Sequence, residues 1–386
     1  MAEATRLAKT ASVKDGTLVM DWQDGRQQVF HPLWLRERLP VDDILDARTG
    51  QRLIEAAELP LDLKLSTCAM PAEDRVALTF SDAFQATVTA DWLHRVVRPL
   101  PARQASYGQA SPDLQLWGHD LGTRPEADLP QLQRDEAAVG EMLQGLHRYG
   151  FMIVHNVPVE MEGAMALTNC IGPIRITNWG GLADVKAIPK AYDLTMTTRG
   201  LEQHADNPYR TPVPGYIFLH CLRNDAEGGE SVIVDGFRVA RELQVRDPEA
   251  FETLTTVRPR FRYADNTAIL ESDGPLIELD GDGRLHQVRY SNRTEMVDHL
   301  PLDMLDRYYK ARQLYFQLLN DPALTLTFKL GPGDCMIMDN YRLLHGRKGF
   351  KLDTGMRHMR QCYMDRDTVG SKRKVLARQA RPLAAE

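Results

Sequence analysis

The feature that most constrains this chain is its supply of short apolar runs, each closed by a turn. GYIFLHCL and SVIVDGF flank NDAEGGE, and TLTFKL and CMIMDN flank GPGD. Runs this short, bounded by Gly, Pro, Asn and Asp, form strands because those residues accept the backbone angles of tight turns. Helical spacing appears elsewhere. DEAAVGEMLQGLHRYGF turns at Tyr149-Gly150 into the strand-like FMIVHNV, and LDMLDRYYKARQLYFQLLN precedes the last strands. The order is helix, many strands, helix, strands again, with no internal repeat. That order predicts a mainly β fold with flanking helices, a jelly roll or sandwich, rather than a βαβ alternation.

The chain of 386 residues is long enough for two domains. Residues 1–100 read as a small β-rich domain, with TLVMDW, RQQVFH and RVALTF as its strands. Residues 101–130 are rich in Pro, Gly, Ser, Gln and Asp and read as a linker. Residues 131–386 read as the main domain. Hydrophobic residues at 43% supply a core. A net charge of −6 argues against a nucleic-acid partner, which demands a basic face. The locally basic tail, Ser371 to Arg381, reads as a solvated or subunit-contacting helix. No run approaches the roughly 20 apolar residues of a membrane span, and the N-terminus has no signal-peptide core. The five cysteines form no C-x-x-C pair and read as reduced thiols in a cytoplasmic protein.

Chemistry gathers at Gln203-His204-Ala205-Asp206-Asn207. On an extended segment, residues two apart share a face, so His204 and Asp206 can hold one divalent ion. A second imidazole, from His345 in CMIMDNYRLLHGR, would complete the two-histidine, one-carboxylate triad of non-haem iron. Read from the residues alone, a His-x-Asp is also an ordinary loop pair, and a lone histidine behind an apolar strand is often structural. Arg357, further on, suits bidentate capture of a carboxylate; a surface ion pair is the other reading.

The motifs taken together resemble the γ-butyrobetaine dioxygenase-like branch of the taurine dioxygenase family. The shared pattern is H-x-D, then GGES ending at Ser231, then DNYRLLHGR, then RHMRQCY. It extends to the first domain through Trp22 to Arg38, WQDGRQQVFHPLWLRER, and so covers nearly the whole chain. The resemblance implies a double-stranded β-helix with Fe(II) held by His204, Asp206 and His345. It implies 2-oxoglutarate bound by Arg357 with Ser231 beside it, O2 as the second co-substrate, and ascorbate as an activator. It implies hydroxylation of an unactivated C–H bond of a small zwitterionic quaternary amine, γ-butyrobetaine or its phosphonate analogue, and a homodimer.

Two departures from the family pattern stand out. Where many members hold a structural zinc, this chain has Leu39, Val41, Ile44 and Phe84, so no zinc is expected. The family's aromatic cage for a trimethylammonium group aligns with Trp179, Ala183, Met196, Asn207 and Tyr363, where only Trp179 and Tyr363 are aromatic. Tyr192, Tyr209 or Tyr290 could refill it. Asn178, Asp193, Asn292 and Arg293 are candidates for the substrate's anionic end. Asp193 stands where the family has asparagine, which makes room for a different head group, as in 2-(trimethylammonio)ethylphosphonate. The alternatives are the same chemistry on a sulfonate or amino acid, and a metal-containing ligand-binding barrel without turnover.

Overall fold

The computed structural model describes residues 7–97, 106–188 and 194–380, and the chain divides into units 1–100 and 101–386. In the first unit, Ala8–Lys14, Thr17–Trp22 and Gln27–Phe30 form one antiparallel sheet. Leu65–Ala72, Arg75–Phe80 and Gln85–Thr89 form another. Their inward residues join one apolar cluster around Trp22, Leu35, Val76 and Phe80. Leu39 and Ile44 are fully buried in that cluster, and Val41 and Phe84 pack against it. The Arg36 guanidinium lies 3.3 Å from the Phe84 ring centroid. Apolar packing and a cation–π contact therefore occupy these positions.

The second unit is built on eight strands, β1 (Ala183–Lys186), β2 (Leu201–His204), β3 (Tyr216–Asn224), β4 (Ser231–Asp235), β5 (Thr325–Phe328), β6 (Cys335–Asp339), β7 (Leu343–Arg347) and β8 (Arg357–Met364). One sheet has the order β2-β7-β4-β5. The other runs Glu126–Asp128, Phe151–His155, β6, β3, β8, β1. The chain alternates between sheets from β1 to β4 and again from β5 to β8, which is the winding of a double-stranded β-helix. All pairings are antiparallel except that of Glu126–Asp128 with Phe151–His155.

Strand alternation explains why the central strands are buried throughout. From β3, Ile217, Leu219 and Cys221 face the barrel interior with Met336, Met338 and Met359. The intervening Phe218, with Cys335, Ile337 and Cys362, faces α1 (Glu136–Tyr149) and α5 (Arg366–Gln379). Each fully buried Leu, Ile or Phe side chain contributes about 1.5–3 kcal/mol. Helix α1 starts at Asp135, whose carboxylate accepts from Ala137 N at 2.8 Å, and ends at Gly150, φ 80°. A left-handed residue closes the helix there and frees the chain to enter the strand. Helix α5 carries the basic tail but is anchored on its inner face by Val369 and Leu376, with Lys372 2.9 Å from Glu136.

Between β4 and β5 lie α2 (Gly236–Arg246), α3 (Pro248–Thr256), two hairpins and α4 (Leu302–Leu319), sharing a second apolar core. Asp235 caps α2 and forms a fully buried pair with Arg342 at 2.6 Å. The segment expected as a linker needs correction over its described part. Trp117 is buried, its indole donates to Tyr149 O at 2.6 Å, and Glu126–Asp128 joins the larger sheet. Its few apolar residues lack a period, so composition alone hides their burial. Among the described residues no helix is long and apolar enough to cross a membrane.

Candidate active site

Strand register brings the triad together. β2 and β7 pair so that His204 lies directly opposite His345, and their ring centroids are 4.5 Å apart. Asp206 follows two residues after His204, with its Oδ1 3.4 Å from His204 Nε2 and 3.8 Å from His345 Nε2. One ligand atom from each residue lies within 4.8 Å of the others, and among the described residues this is the group of such side chains able to hold an ion. The donor chemistry fits iron(II). His204 Nδ1 is 2.8 Å from Glu202 O, a contact that places the proton on Nδ1 and leaves the Nε2 lone pair for a metal.

The electrostatics agree with a ligand role. Burial works to raise the Asp206 carboxyl, but His345, His204 and Arg293 outweigh it and hold the group well below the usual carboxylate range. His345 is pushed down to about 4, mainly by burial and then by His204, so it is neutral and able to ligate at pH 7. The backbone of Asp206 is fixed by the fully buried Asn340. Its Oδ1 accepts from Asp206 N at 2.8 Å, and its Nδ2 donates to Asp206 O and Pro214 O, both at 2.9 Å.

Arg357 opens β8 on the interior face, buried, with its Nε donating to Gly229 O at 3.2 Å. Burial pushes its pKa down to about 10, so it remains a cation at neutral pH. Ser231 is buried on β4 opposite Arg347, and no hydrogen bond joins it to Arg357. Arg347 is a residue that sequence reasoning passed over. It lies two residues beyond His345 on the same inward face, and its guanidinium donates to Thr195 O, Thr197 O and Arg199 O at 3.1, 2.7 and 2.8 Å. Three carbonyls of one segment are thereby held on a barrel strand.

A cavity of about 630 Å³ opens onto Asp206. Of the candidate substrate residues, Trp179, Met196, Asn207, Tyr363 and Arg293 line it. Asn178 is turned to the surface, where Arg210 donates to its Oδ1. Asn292 accepts from Arg312 at 2.8 Å and lines a separate hollow with Tyr290, Tyr309 and Phe316. Asn178 and Asn292 are therefore corrected as pocket residues: neither lines the cavity, and in both an arginine donates to the amide oxygen. Asp193 and Tyr192 lie outside the described residues.

The aromatic wall is larger than the aligned positions suggest. Tyr209 lines the cavity, and so does Tyr263 on the strand Arg260–Ala264, which no sequence signal marks. Tyr263 meets the Trp179 ring edge-on at 5.2 Å and stacks with Tyr209 at 5.3 Å and 25°. The Tyr209 hydroxyl donates to Asn207 Oδ1 at 2.6 Å, and Asn207 holds φ 50°.

Residues 110–363 match the family described as taurine catabolism dioxygenase TauD, TfdA. Gamma-butyrobetaine dioxygenase of Pseudomonas sp. (strain AK-1) is 32% identical over 375 residues, spanning 96% of each chain. The Homo sapiens gamma-butyrobetaine dioxygenase is 29% identical, over 95% of this chain and 96% of that one. Trimethyllysine dioxygenase of Rattus norvegicus is 28% identical, over 90% of this chain and 82% of its own. Among solved structures, an asparagine oxygenase complex with Fe(II) gives a TM-score of 0.49 at 18% identity, over 61% of this chain and 83% of that one.

Proposed function

Because the chain belongs to the taurine catabolism dioxygenase TauD, TfdA family, we propose that it hydroxylates a small zwitterionic quaternary amine. The chemistry is that of an iron(II)- and 2-oxoglutarate-dependent dioxygenase; the substrate is the inference. Iron(II), when bound by His204, Asp206 and His345, supplies the oxygen chemistry, with 2-oxoglutarate and O2 as co-substrates. The protein supplies placement and exclusion of water. Arg357, a buried cation, would receive the distal carboxylate of 2-oxoglutarate, with Ser231 on the same inward face.

The observation that carries the substrate reading is the ring cluster of Trp179, Tyr209 and Tyr263 on the cavity wall beside the triad. Aromatic faces attract a quaternary ammonium that cannot donate a hydrogen bond. Arg293 lines the same cavity and supplies positive charge for an anionic head, with Ser291 close by in the chain as a hydroxyl donor; Arg262, also on the wall, is already paired with Glu271 at 2.9 Å. γ-Butyrobetaine and 2-(trimethylammonio)ethylphosphonate both match this arrangement. A primary amine would instead want a free carboxylate. Asp184, which lines the cavity, is already engaged by His358 at 2.7 Å and Arg360 at 3.1 Å. A cytoplasmic homodimer belongs to the same reading, supported by the unpaired cysteines and by the family resemblance.

The test is turnover of γ-butyrobetaine, its phosphonate analogue, trimethyllysine, taurine and simple amino acids with iron(II), ascorbate and 2-oxoglutarate. Hydroxylated product from a trimethylammonium compound, with matching succinate, is expected. Preferred turnover of taurine or an amino acid would overturn the substrate reading. Absence of succinate under every condition would leave a ligand-binding barrel.

A further inference from the structure

We propose that Gln361 and Tyr363 are positioning residues that restrict Asp206 to a single metal-facing oxygen. The inference rests on the iron reading above and adds what keeps coordination positions open.

A carboxylate can grip a metal with one oxygen or with both. At a facial triad the second mode would consume a position that the co-substrates need. In this protein the two oxygens of Asp206 have separate surroundings. Oδ1 faces His204 Nε2 at 3.4 Å and His345 Nε2 at 3.8 Å. Oδ2 accepts from the Gln361 amide and from the Tyr363 hydroxyl, the latter at 3.0 Å. The amide of Gln361 also donates to the Tyr363 hydroxyl oxygen at 2.7 Å. The three groups form a closed triangle in which the amide uses both protons and the hydroxyl both donates and accepts.

Geometry makes the restraint stiff. Gln361 and Tyr363 are two residues apart on β8, so both project from one face of a strand hydrogen-bonded on each side. Asn340 separately holds the N–H and C=O of Asp206. With the main chain fixed by Asn340, the remaining freedom is rotation of the carboxylate, and the two β8 donors oppose it. Donors on Oδ2 also draw charge from that oxygen and weaken it as a ligand. Both residues line the cavity beside the triad, so the wall a substrate touches is the wall that sets the metal's ligand.

The experiment uses the full chain loaded anaerobically with iron(II), and with cobalt(II) as a stable stand-in. Metal affinity is titrated first. Binding of 2-oxoglutarate is then followed through the charge-transfer band of the chelated 2-oxo acid. For Gln361→Met/Tyr363→Phe, metal affinity should stay within about threefold of the parent, while the 2-oxoglutarate dissociation constant rises about tenfold, the worth of one or two lost hydrogen bonds. Tyr363→Phe alone, which removes one oxygen, should give the same pattern at smaller amplitude. An unchanged 2-oxoglutarate titration in both variants overturns the proposal. So does loss of metal affinity in parallel with lower thermal stability, which is the mark of a structural role. If the parent binds metal no better than its own His345→Ala variant, the iron reading itself fails, and this inference falls with it.

Discussion

The floor and the wall of the cavity are built differently. At the floor lies Asp206 of the triad, whose backbone N–H and C=O are both held by Asn340; the triad's histidines face each other across paired strands. The wall is mixed: Gln361 and Tyr363 come from β8, while its other aromatic residues are carried by connections and by a hairpin in the long excursion between β4 and β5. Trp179, Met196 and Tyr209 lie outside the regular strands, and Tyr263 enters from Arg260–Ala264. Rigid strands place the chemistry within fractions of an ångström, whereas connecting segments vary at little cost to the barrel. One reaction can therefore be kept while the substrate changes.

Replacing residues of the floor and the wall should separate these roles, beginning with the largest effect. His345→Ala removes a ligand from a strand and should abolish succinate release, with the fold intact by circular dichroism. Residual turnover above a tenth of the parent would place the metal elsewhere. Arg357→Ala should raise the KM for 2-oxoglutarate by about 10–100-fold, the worth of a charge-assisted contact of about 1.5–3 kcal/mol. Its kcat should recover at saturating co-substrate; an unchanged KM would remove Arg357 from the site. Tyr263→Ala acts on the wall and should raise the KM for a trimethylammonium substrate several-fold, for a cation–π term of about 0.5–2 kcal/mol. The KM for 2-oxoglutarate should not follow, and a parallel rise would mean that floor and wall are not separable. Asn292→Ala, in the separate hollow, should change either KM by less than about twofold; a larger change would bring that hollow into the site.

The same division decides what can be read from sequence. His204 and Asp206 stand out in the sequence as a His-x-Asp, but the extended geometry expected for it stops at His204, and Asp206 sits in the bend just beyond the strand. His345 is legible once the motif around it is seen whole. The barrel strands follow from alternation and turn residues, as in TLTFKL-GPGD-CMIMDN. Tyr263 is not legible, because RFRYA is an ordinary polar hairpin strand until its fold carries it beside Trp179. Asn340 and Arg347 stand inside the motif, yet their roles depend on carbonyls more than a hundred residues away in the chain. Asn178 and Asn292 illustrate the reverse error. They look available in sequence, but they lie outside the cavity and their amide oxygens accept from Arg210 and Arg312. Trp117 follows Leu114 and Leu116 in an otherwise polar, Gly- and Pro-containing stretch too short to show a period, so its burial emerges only with the sheet it covers.

The central claim, an iron oxygenase whose aromatic wall selects a quaternary cation, is tested most directly by one comparison. The purified protein with iron(II), ascorbate and 2-oxoglutarate is given γ-butyrobetaine or its phosphonate analogue, each beside the isostere in which tert-butyl replaces trimethylammonium. The account predicts a hydroxylated cation with equimolar succinate, and a kcat/KM for the neutral isostere lower by about tenfold or more. Equal use of cation and isostere would contradict it, because a wall that reads only shape has no need of Trp179, Tyr209 and Tyr263.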